Sequence, residues 1–326
     1  MPFDSYQREI NYLRISLTDV CNLRCVYCMP EHMAFRRPAE LLSDAELFRL
    51  IPIFAELGFR KIRFTGGEPT LRKSLIELVR TTAAYPGIRQ VGLTTNGLLL
   101  DQLARPLAEA GLTTVNVSLD SLDPARFRQL TRWGNVRDVL EGLVTAEEVG
   151  LRVKLNSVPT RDMNDTTDVV ELARLTLQHD WQVRFIELMP FANNAEFQTE
   201  HIVREDELRT LLEEEFGALE VVDEGRLDGE AKVFRISDAP GTVGFISPVS
   251  SPFCAACNRV RLTADGRLRL CLLRDDEGDL RELLRGGASD EDLAAAIGSA
   301  VYRKPWGHEL SSARFPVSRG MSEIGG

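Results

Sequence analysis

The sequence predicts an α/β fold: an incomplete (βα)6 TIM-like barrel followed by a C-terminal α+β extension. Three observations support it. Short β-rich runs recur through the first 200 residues, amphipathic helical segments separate them, and polar motifs follow several of the runs. Alternation of this kind implies right-handed βαβ units and a parallel sheet. The motifs that follow the strands should therefore share the edge formed by the strand C-termini.

The elements of the barrel are predicted to alternate, with two successive helices between the fourth and fifth strands. The strands are expected at 12–17, 61–65, 90–94, 114–119, 152–158 and 183–188. The helices are expected at 43–57, 74–84, 100–110, 124–129, 136–149 and 166–179. The first helix opens with a capping box formed by Ser43 and Glu46, and Gly58 ends it.

The pattern changes after about residue 200. We therefore predict a barrel over residues 1–200 and a smaller extension over residues 201–326. Helices of the extension are expected at 205–216, 279–285 and 290–303, and strands at 219–222, 232–236 and 242–246. The run 259–273 is typical of a hairpin that turns at Asp265-Gly266.

Charge and hydropathy exclude several classes of partner. The formal net charge of -10 disfavours a general nucleic-acid or anionic-membrane surface. No apolar run approaches the roughly 18 residues that cross a bilayer. The first residues are charged where a signal peptide would be apolar. We expect a cytoplasmic protein that binds neither nucleic acid nor membrane.

The six cysteines form two tight triads, spaced C-x3-C-x2-C and C-x2-C-x13-C. Disulfides are disfavoured in a reducing cytoplasm, so the clustering indicates metal or cluster ligation. Three thiolates can hold three irons of a [4Fe–4S] cube and leave the fourth iron open. A zinc site that borrows a distant fourth ligand stays open as an alternative. The triads are Cys21, Cys25 and Cys28, and Cys254, Cys257 and Cys271.

The first triad lies in "CNLRCVYC", and Gly66-Gly67-Glu68 follows the second predicted strand. These segments resemble the radical S-adenosylmethionine (SAM) superfamily. The resemblance implies a [4Fe–4S] cluster whose open iron binds the amino and carboxylate groups of SAM. It also implies that Gly-Gly-Glu lies against the methionine amino group, where glycines permit close approach and a carboxylate suits an ammonium. The expected SAM contacts are Tyr27, Gly67, Ser118 and Met189.

Further motifs resemble one particular family within this superfamily. "CAACNRVRLTADGRLRLCL", "KIRFTGGEPTLRKS", "TTNG", "VNVSLDSL" and the terminal Gly325-Gly326 are similar to the GTP 3′,8-cyclases, radical SAM enzymes that open molybdenum cofactor biosynthesis. The similarity implies a second [4Fe–4S] cluster on the second triad. It also implies that a 5′-deoxyadenosyl radical removes hydrogen from C3′ of GTP. Attack of C3′ on C8 then gives (8S)-3′,8-cyclo-7,8-dihydroguanosine 5′-triphosphate.

Strand alternation places Arg259 and Arg261 on one face. Such a pair usually lies on a solvated edge, but beside an open iron it would suit a triphosphate, because guanidinium binds phosphate in a bidentate fork. The resemblance favours the second interpretation and implies a catalytic set of Arg259, Arg261, Gly325 and Gly326. The expected GTP contacts are Arg14, Arg63, Thr94, Lys154, Arg259 and Arg261.

The tail "SRGMSEIGG" has two interpretations. By pattern it is a frayed terminus that tolerates truncation. Alternatively, two residues without side chains let the backbone enter a crowded site where any Cβ would clash. The resemblance favours the second.

The resemblance also implies partners. These are an electron donor such as flavodoxin or ferredoxin and a cyclic pyranopterin monophosphate synthase that receives the product, and a homodimer is compatible with it. Two other functions stay open at this point. One is a radical SAM peptide maturase with an auxiliary cluster, although such enzymes carry longer C-terminal cysteine sets. The other is a non-catalytic, zinc-stabilised binding protein.

Overall fold

Six strands alternate with helices through the first part of the computed structural model, as predicted. The structure describes residues 2–191, 195–222, 227–228, 230–312 and 314–325. The strands are β1 (Tyr12–Ser16), β2 (Lys61–Thr65), β3 (Gln90–Thr95), β4 (Thr114–Ser118), β5 (Arg152–Ser157) and β6 (Gln182–Ile186). The helices are α1 (Asp44–Glu56), α2 (Leu75–Ala84), α3 (Leu100–Glu109), α4 (Pro124–Thr131), α5 (Val136–Glu148) and α6 (Thr167–Arg174).

Predicted and observed elements differ mainly at their ends. The α6 helix stops at Arg174, and its last predicted turn is a 3-10 turn over Leu175–Leu177. The capping box of α1 is confirmed: Glu46 N donates to Ser43 Oγ at 3.2 Å, and Ser43 N donates to Glu46 Oε2 at 2.7 Å. These bonds satisfy donors that a helix start leaves without partners, which is why α1 begins where it does.

The second part of the chain adds shorter elements. They are α7 (Ala195–Glu200), α8 (Glu205–Phe216), β7 (Glu220–Val221), β8 (Leu227–Asp228), β9 (Ala231–Arg235), β10 (Thr242–Ile246), β11 (Arg259–Leu262), β12 (Arg267–Arg269), β13 (Glu277–Asp279), α9 (Leu280–Arg285), α10 (Asp290–Tyr302) and α11 (Met321–Ile324). The predicted hairpin is confirmed as β11 and β12. Its turn contains Gly266 at φ +80°, a left-handed conformation that favours glycine. The sequence did not predict α7, β8, β13 and α11.

One sheet runs through both parts of the chain. Strands β1 to β6 are parallel in chain order; β11 pairs in parallel with β1, and β10 pairs in parallel with β6. The sheet order ends at β13 on one side and at β7 on the other, so the predicted incomplete barrel is confirmed. The division at residue 200 stays a prediction, because strands from beyond it extend both edges of the barrel sheet.

Side chains that alternate along each strand point either to the hydrophobic core under the helices or to the opposite side of the sheet. On β1, Leu13 and Ile15 join the hydrophobic cluster that includes Leu47 and Phe54 of α1. The intervening Arg14 is also buried but lies outside that cluster. Polar strand residues are therefore directed away from the helices. No helix in the described ranges has the length and apolar character needed to span a bilayer.

Candidate active site

Residues at or just beyond the C-terminal ends of four barrel strands line one cavity. Gly67 follows β2, Asn96 follows β3, Ser118 ends β4 and Met189 follows β6, and all four line the cavity beside the first cysteine triad. The strands are parallel, so these positions lie at the same edge of the sheet. The structure brings together the strand-end motifs as chain polarity predicts.

The three thiols of the first triad all line this cavity. The backbone turns tightly between two of them, with Cys28 N donating to Cys25 O at 3.0 Å. Cys21 Sγ accepts from Leu23 N at 3.3 Å and from Asn96 Nδ2 at 3.8 Å. Burial and then the neighbouring Cys21 raise the pKa of the Cys28 thiol to about 12. A thiolate at Cys28 therefore needs a bound cation to stabilise it.

These thiols fit a [4Fe–4S] cluster. Cysteine thiolates that bind a metal or cluster typically accept hydrogen bonds from nearby N–H groups, as Cys21 Sγ does here. Among the described residues, no three His, Cys, Asp or Glu side chains gather as they would around one metal ion. Ligands of a cube bind separate irons, so they need not converge on one point.

The glycines after β2 pack against backbone. An added Cβ at Gly67 would lie 2.4 Å from Val20 O, and one at Gly66 would lie 2.7 Å from Thr18 O. Gly67 N donates to Thr18 O at 2.6 Å. The close approach is therefore to the loop that carries the first triad, whereas the sequence predicted close approach to a ligand. The role of Gly67 in SAM binding stays a prediction.

Glu68 braces the end of β3. Its Oε1 accepts from Thr70 N at 3.0 Å, Thr70 Oγ1 at 2.6 Å and Thr95 Oγ1 at 2.7 Å. Its Oε2 accepts from Asn96 N at 2.7 Å. Four protein donors match the roughly four acceptor sites of a carboxylate. The side chain thus holds the loops after β2 and β3 together, a role that the expected contact with an ammonium did not anticipate.

An acidic residue missed by sequence reasoning orients Tyr27. Tyr27 Oη donates to Asp120 Oδ2 at 2.6 Å, and Val158 N donates to Asp120 Oδ1 at 2.8 Å. Burial raises the pKa of Asp120 to about 6, although the bond from Tyr27 opposes the shift. Tyr27, Ser118 and Met189 line the first cavity, as predicted for SAM contacts, but the contacts themselves stay predictions.

The second triad lines a neighbouring cavity with a different charge. Five of the residues that line it are basic: Arg14, Arg259, Arg261, Arg269 and Lys304. Glu230 is the one acidic residue that lines it in the described part of the chain. Burial by itself would raise the pKa of the Cys257 thiol, but Lys304 and Arg259 lower it to about 7. Three thiols here, at Cys254, Cys257 and Cys271, fit a second cluster.

Two adjacent strands form an arginine wall, which we define as Arg14, Arg259 and Arg261. In the ladder between β1 and β11, Arg14 lies opposite Arg261, and Tyr12 lies opposite Arg259. The wall is buried, which contradicts a solvated edge for the Arg-x-Arg pair. Its three guanidiniums converge on the second cavity.

Two predicted GTP contacts lie elsewhere. Arg63 is buried and donates from Nε to Tyr12 Oη and from Nη1 to Leu93 O, both at 2.8 Å. Lys154 is also buried. Neither residue lines the two cavities. Arg63 is held by bonds within the barrel, and the contacts of both residues with GTP stay predictions.

The two cavities adjoin. They contain about 1110 and 970 Å³ of space free of atoms, part of which is open to solvent. Five residues line both cavities and form the boundary between them. The sequence analysis predicted two of these as site residues, Thr94 and Met189, and missed the other three. The lining residues common to both cavities are Thr94, Asn156, Ile186, Met189 and Met321.

The C-terminal segment enters this site, so it is not a frayed end. Gly325 is buried at φ +77°, and an added Cβ would lie 2.8 Å from Thr65 Cγ2 and 2.9 Å from Ser16 Cβ. Arg261 Nη1 donates to Gly325 O at 2.5 Å. Met321 of α11 lines both cavities. The predicted residue Gly326 lies outside the described residues.

An ionic clamp holds the tail to the β11–β12 hairpin. Arg319 donates from Nη1 and Nη2 to the two carboxylate oxygens of Asp265, at 3.0 and 2.9 Å. Its Nε lies 2.8 Å from Glu277 Oε1. Arg36 Nη2 donates to Glu323 Oε1 at 3.0 Å. The tail is therefore tied to the hairpin that also carries Arg261.

Two family models divide the chain between them. One described as the radical SAM superfamily matches residues 15–175, and one described as Molybdenum Cofactor Synthesis C matches residues 181–310. A GTP 3′,8-cyclase from Thermodesulfovibrio yellowstonii is 44% identical over 99% of this chain and 99% of its own length. Another, from Pelotomaculum thermopropionicum, is 46% identical with the same coverage.

Solved structures share the fold at low identity. The crystal structure of Streptococcus suis SuiB bound to its precursor peptide SuiA matches with a TM-score of 0.62 and 16% identity. The match covers 92% of this chain and 66% of that chain. At this identity, the likeness concerns the fold alone.

An open barrel with a three-cysteine loop after its first strand defines a radical SAM enzyme. Such an enzyme uses SAM and [4Fe–4S] clusters as cofactors. Within that class, the chain belongs to the family of the GTP 3′,8-cyclases, because relatives more than 40% identical match it over nearly all of its length. This membership decides against the zinc-stabilised binding protein and the peptide maturase.

Proposed function

We propose that this chain converts GTP to (8S)-3′,8-cyclo-7,8-dihydroguanosine 5′-triphosphate, the first step of molybdenum cofactor biosynthesis. One observation carries the proposal: two cavities adjoin, each with three thiols, and only the second has a basic lining. A radical generated from SAM in the first cavity would therefore be adjacent to a nucleotide bound in the second cavity.

The first cavity is proposed to hold the cluster on Cys21, Cys25 and Cys28, with SAM beside it. When bound, these cofactors would supply a 5′-deoxyadenosyl radical that takes the hydrogen atom from C3′ of GTP. C3′ would then bond to C8, and one further electron from the electron donor and one proton would complete the dihydro product. The chain positions SAM through side chains fixed in advance, as Asp120 fixes Tyr27. The residues proposed to contact SAM are Tyr27, Gly67, Ser118 and Met189.

The second cavity is proposed to bind GTP. Cys254, Cys257 and Cys271 hold the second cluster, whose open iron suits a purine nitrogen or oxygen. The arginine wall binds the triphosphate, because guanidinium groups pair with phosphate oxygens in a bidentate fork. Thr94 lies at the boundary of the cavities, where the ribose would meet SAM. Arg63 and Lys154 are proposed to add positive potential from deeper in the barrel.

The tail is proposed to complete the second site. Gly325 brings a carbonyl to Arg261 at a position where a side chain would collide with β1 and β2. Gly326 extends the same side-chain-free backbone. Radical intermediates must be kept from water and stray hydrogen donors, and a tail that lines both cavities suits that need.

The proposal extends to partners named by the resemblance. A reduced flavodoxin or ferredoxin supplies the electron, and the product passes to cyclic pyranopterin monophosphate synthase. The chain is proposed to act in the cytoplasm, and a homodimer is compatible with the proposal. Family membership is the support for each of these statements.

Anaerobic turnover tests the proposal directly. The reconstituted enzyme is incubated with SAM, dithionite and each of the four ribonucleoside triphosphates in turn, and products are separated and identified by mass spectrometry. GTP should be consumed with release of 5′-deoxyadenosine, and the other nucleotides should not. Release of 5′-deoxyadenosine without a new guanine product would contradict the proposal, as would a preparation that holds zinc in place of iron and sulfide.

A further inference from the structure

A carboxylate lies within the arginine wall. Glu230 Oε1 accepts from Arg14 Nη2 at 2.9 Å and pairs with Arg259 Nη1 at 3.0 Å. The side chains of all three residues are at least 86% buried. One oxygen therefore bridges two guanidiniums that come from neighbouring strands, in the cavity proposed for the triphosphate.

The ion pairs with Glu230 do not neutralise all the positive charge of the arginine wall. Burial by itself would raise the pKa of Glu230, but Arg259 and Arg14 outweigh it and lower that pKa, so the carboxylate is ionised. Arg261 meets a neutral acceptor, Gly325 O. Burial, Arg14 and Arg259 all lower the pKa of Arg261. In the part of the chain that the structure describes, one carboxylate thus serves the three guanidiniums.

A purely structural arginine in the same molecule is neutralised differently. The Arg319 guanidinium has two carboxylates around it, Asp265 and Glu277, at 2.8 to 3.0 Å. These carboxylates are shared, because Asp265 also lies 3.9 Å from Arg36 and Glu277 also pairs with Arg269. Among the described residues, at least two carboxylates therefore serve three guanidiniums there, whereas one carboxylate serves the three guanidiniums of the arginine wall. A buried group of surplus cations is complementary to a polyanion, and Glu230 supplies only part of that charge.

We propose that Glu230 is an internal competitor for the triphosphate: it occupies Arg14 and Arg259 in the empty cavity, and GTP must displace it to bind. The inference rests on the proposed function, because it assumes that the arginine wall binds phosphate. Phosphate and carboxylate oxygens compete for the same guanidinium N–H groups and for the same positive charge, so Glu230 and a triphosphate oppose each other at these two arginines.

Competition of this kind has a use in the reaction. Substrate and product carry the same triphosphate, so the arginine wall holds both. A carboxylate that returns to Arg14 and Arg259 lowers the affinity for each and speeds release of the product. Only interactions that differ between ground state and transition state accelerate chemistry, so limiting this uniform affinity costs the chemical step nothing.

Equilibrium dialysis under anaerobic conditions tests the proposal on the enzyme with both clusters. Three probes are compared: inorganic tripolyphosphate, GTP and guanosine. In Glu230→Gln, tripolyphosphate and GTP should bind about tenfold more tightly, as expected when one opposing charge is removed from a buried site. Guanosine, which lacks phosphate, should bind as in the wild type.

A matched control removes the same charge nearby. Glu205 contacts Lys232 and Ser247 instead of the arginine wall. Glu205→Gln should therefore leave all three affinities unchanged. A second variant, Glu230→Asp, keeps the charge but shortens the side chain, so it should bridge the arginines less well and tighten tripolyphosphate binding to a smaller extent.

Unchanged or weaker tripolyphosphate binding in both Glu230 variants would overturn the proposal. Weaker guanosine binding in Glu230→Gln would also overturn it, because Glu230 would then contact the base or the sugar. These readouts are independent of turnover. If the chain were not a cyclase, product would be missing while the tripolyphosphate affinities still reported on Glu230.

Discussion

Each of the two cavities is lined by three thiols, but the charged residues around the thiols differ in sign. In the described part of the chain, the first is lined by Glu68 and Glu187 and by no lysine or arginine, whereas the second is lined by five basic residues and Glu230. SAM carries a sulfonium and an ammonium, and GTP carries a triphosphate. The comparison teaches that charge around each triad, more than the triad itself, distinguishes the two proposed ligands.

The carboxylates of the two cavities also differ in their partners. Glu187 Oε2 accepts from Val249 N at 3.0 Å and from Ser250 N at 2.9 Å, and Glu68 is held by four donors of similar kind. These neutral donors fix the first cavity before any ligand arrives. Glu230 instead pairs with two arginines that are proposed to bind the triphosphate, so under that proposal these arginines exchange partners when GTP binds.

The largest expected effect separates the triads by function. Changing Cys21, Cys25 and Cys28 together to alanine should remove about half the iron and all SAM cleavage, because SAM is activated at the first cluster. Iron analysis and 5′-deoxyadenosine release measure both effects.

The matched variant changes Cys254, Cys257 and Cys271 to alanine. It should also lose about half the iron, yet it should retain some reductive SAM cleavage. Full iron content in both variants would show that these cysteines are not the ligands.

The next effect concerns the tail at the boundary of the cavities. Gly325→Ala should lower cyclisation of GTP at least about tenfold while SAM cleavage continues, because a Cβ would collide with Ser16 and Thr65 in a left-handed conformation. The control is Gly287→Ala, at φ +84° with open space around it. It carries the same conformational penalty far from the site and should cyclise GTP normally. An equal loss of cyclisation in the two variants would show that Gly325→Ala acts by destabilising the fold and not by disturbing the site.

A smaller effect is expected for the arginine wall. Arg261→Ala should weaken GTP binding about ten- to hundredfold, the loss of one charge-assisted contact, and leave both clusters in place. Arg267→Ala is the control, since Arg267 lies on the paired strand but forms an ion pair with Asp279 at 2.5 Å. Anaerobic dialysis gives both affinities. A wild-type affinity in Arg261→Ala would remove this residue from the phosphate site.

The smallest effect is a pH dependence confined to the second cavity. Tyr12 Oη accepts from Arg14 Nε at 3.2 Å and from Arg63 Nε at 2.8 Å. Burial would raise the pKa of Tyr12, but Arg14 and Arg63 lower it to about 7. Above that pH a tyrosinate adds negative charge beside Arg14, so GTP should bind severalfold more weakly at pH 8.5 than at pH 6. If GTP binding by Tyr12→Phe shows the same pH dependence, a group other than Tyr12 is responsible for it.

The sequence by itself determined the elements and the ligand types. Hydrophobic periodicity located β1 to β6, the capping box began α1, and Asp265-Gly266 marked the hairpin turn, since each of these signals is local. Cysteine spacing identified both triads. The pattern of the tail allowed either a frayed end or a backbone in a crowded place, and the resemblance favoured the second. Chain polarity gathered the strand-end motifs at one edge.

Tertiary structure alone decided which charges meet. Local periodicity does not specify that β11 pairs with β1 and β10 with β6, and without that order Arg259 cannot be placed beside Arg14. Glu230 and Arg14 are 216 residues apart in the chain, so no local pattern pairs them. Arg63 matches a nucleotide-contact motif, yet its depth in the barrel directs it to Tyr12 and Leu93. Long-range strand order fixes these contacts, because electrostatic interactions depend on distance in space and the sequence records only distance along the chain.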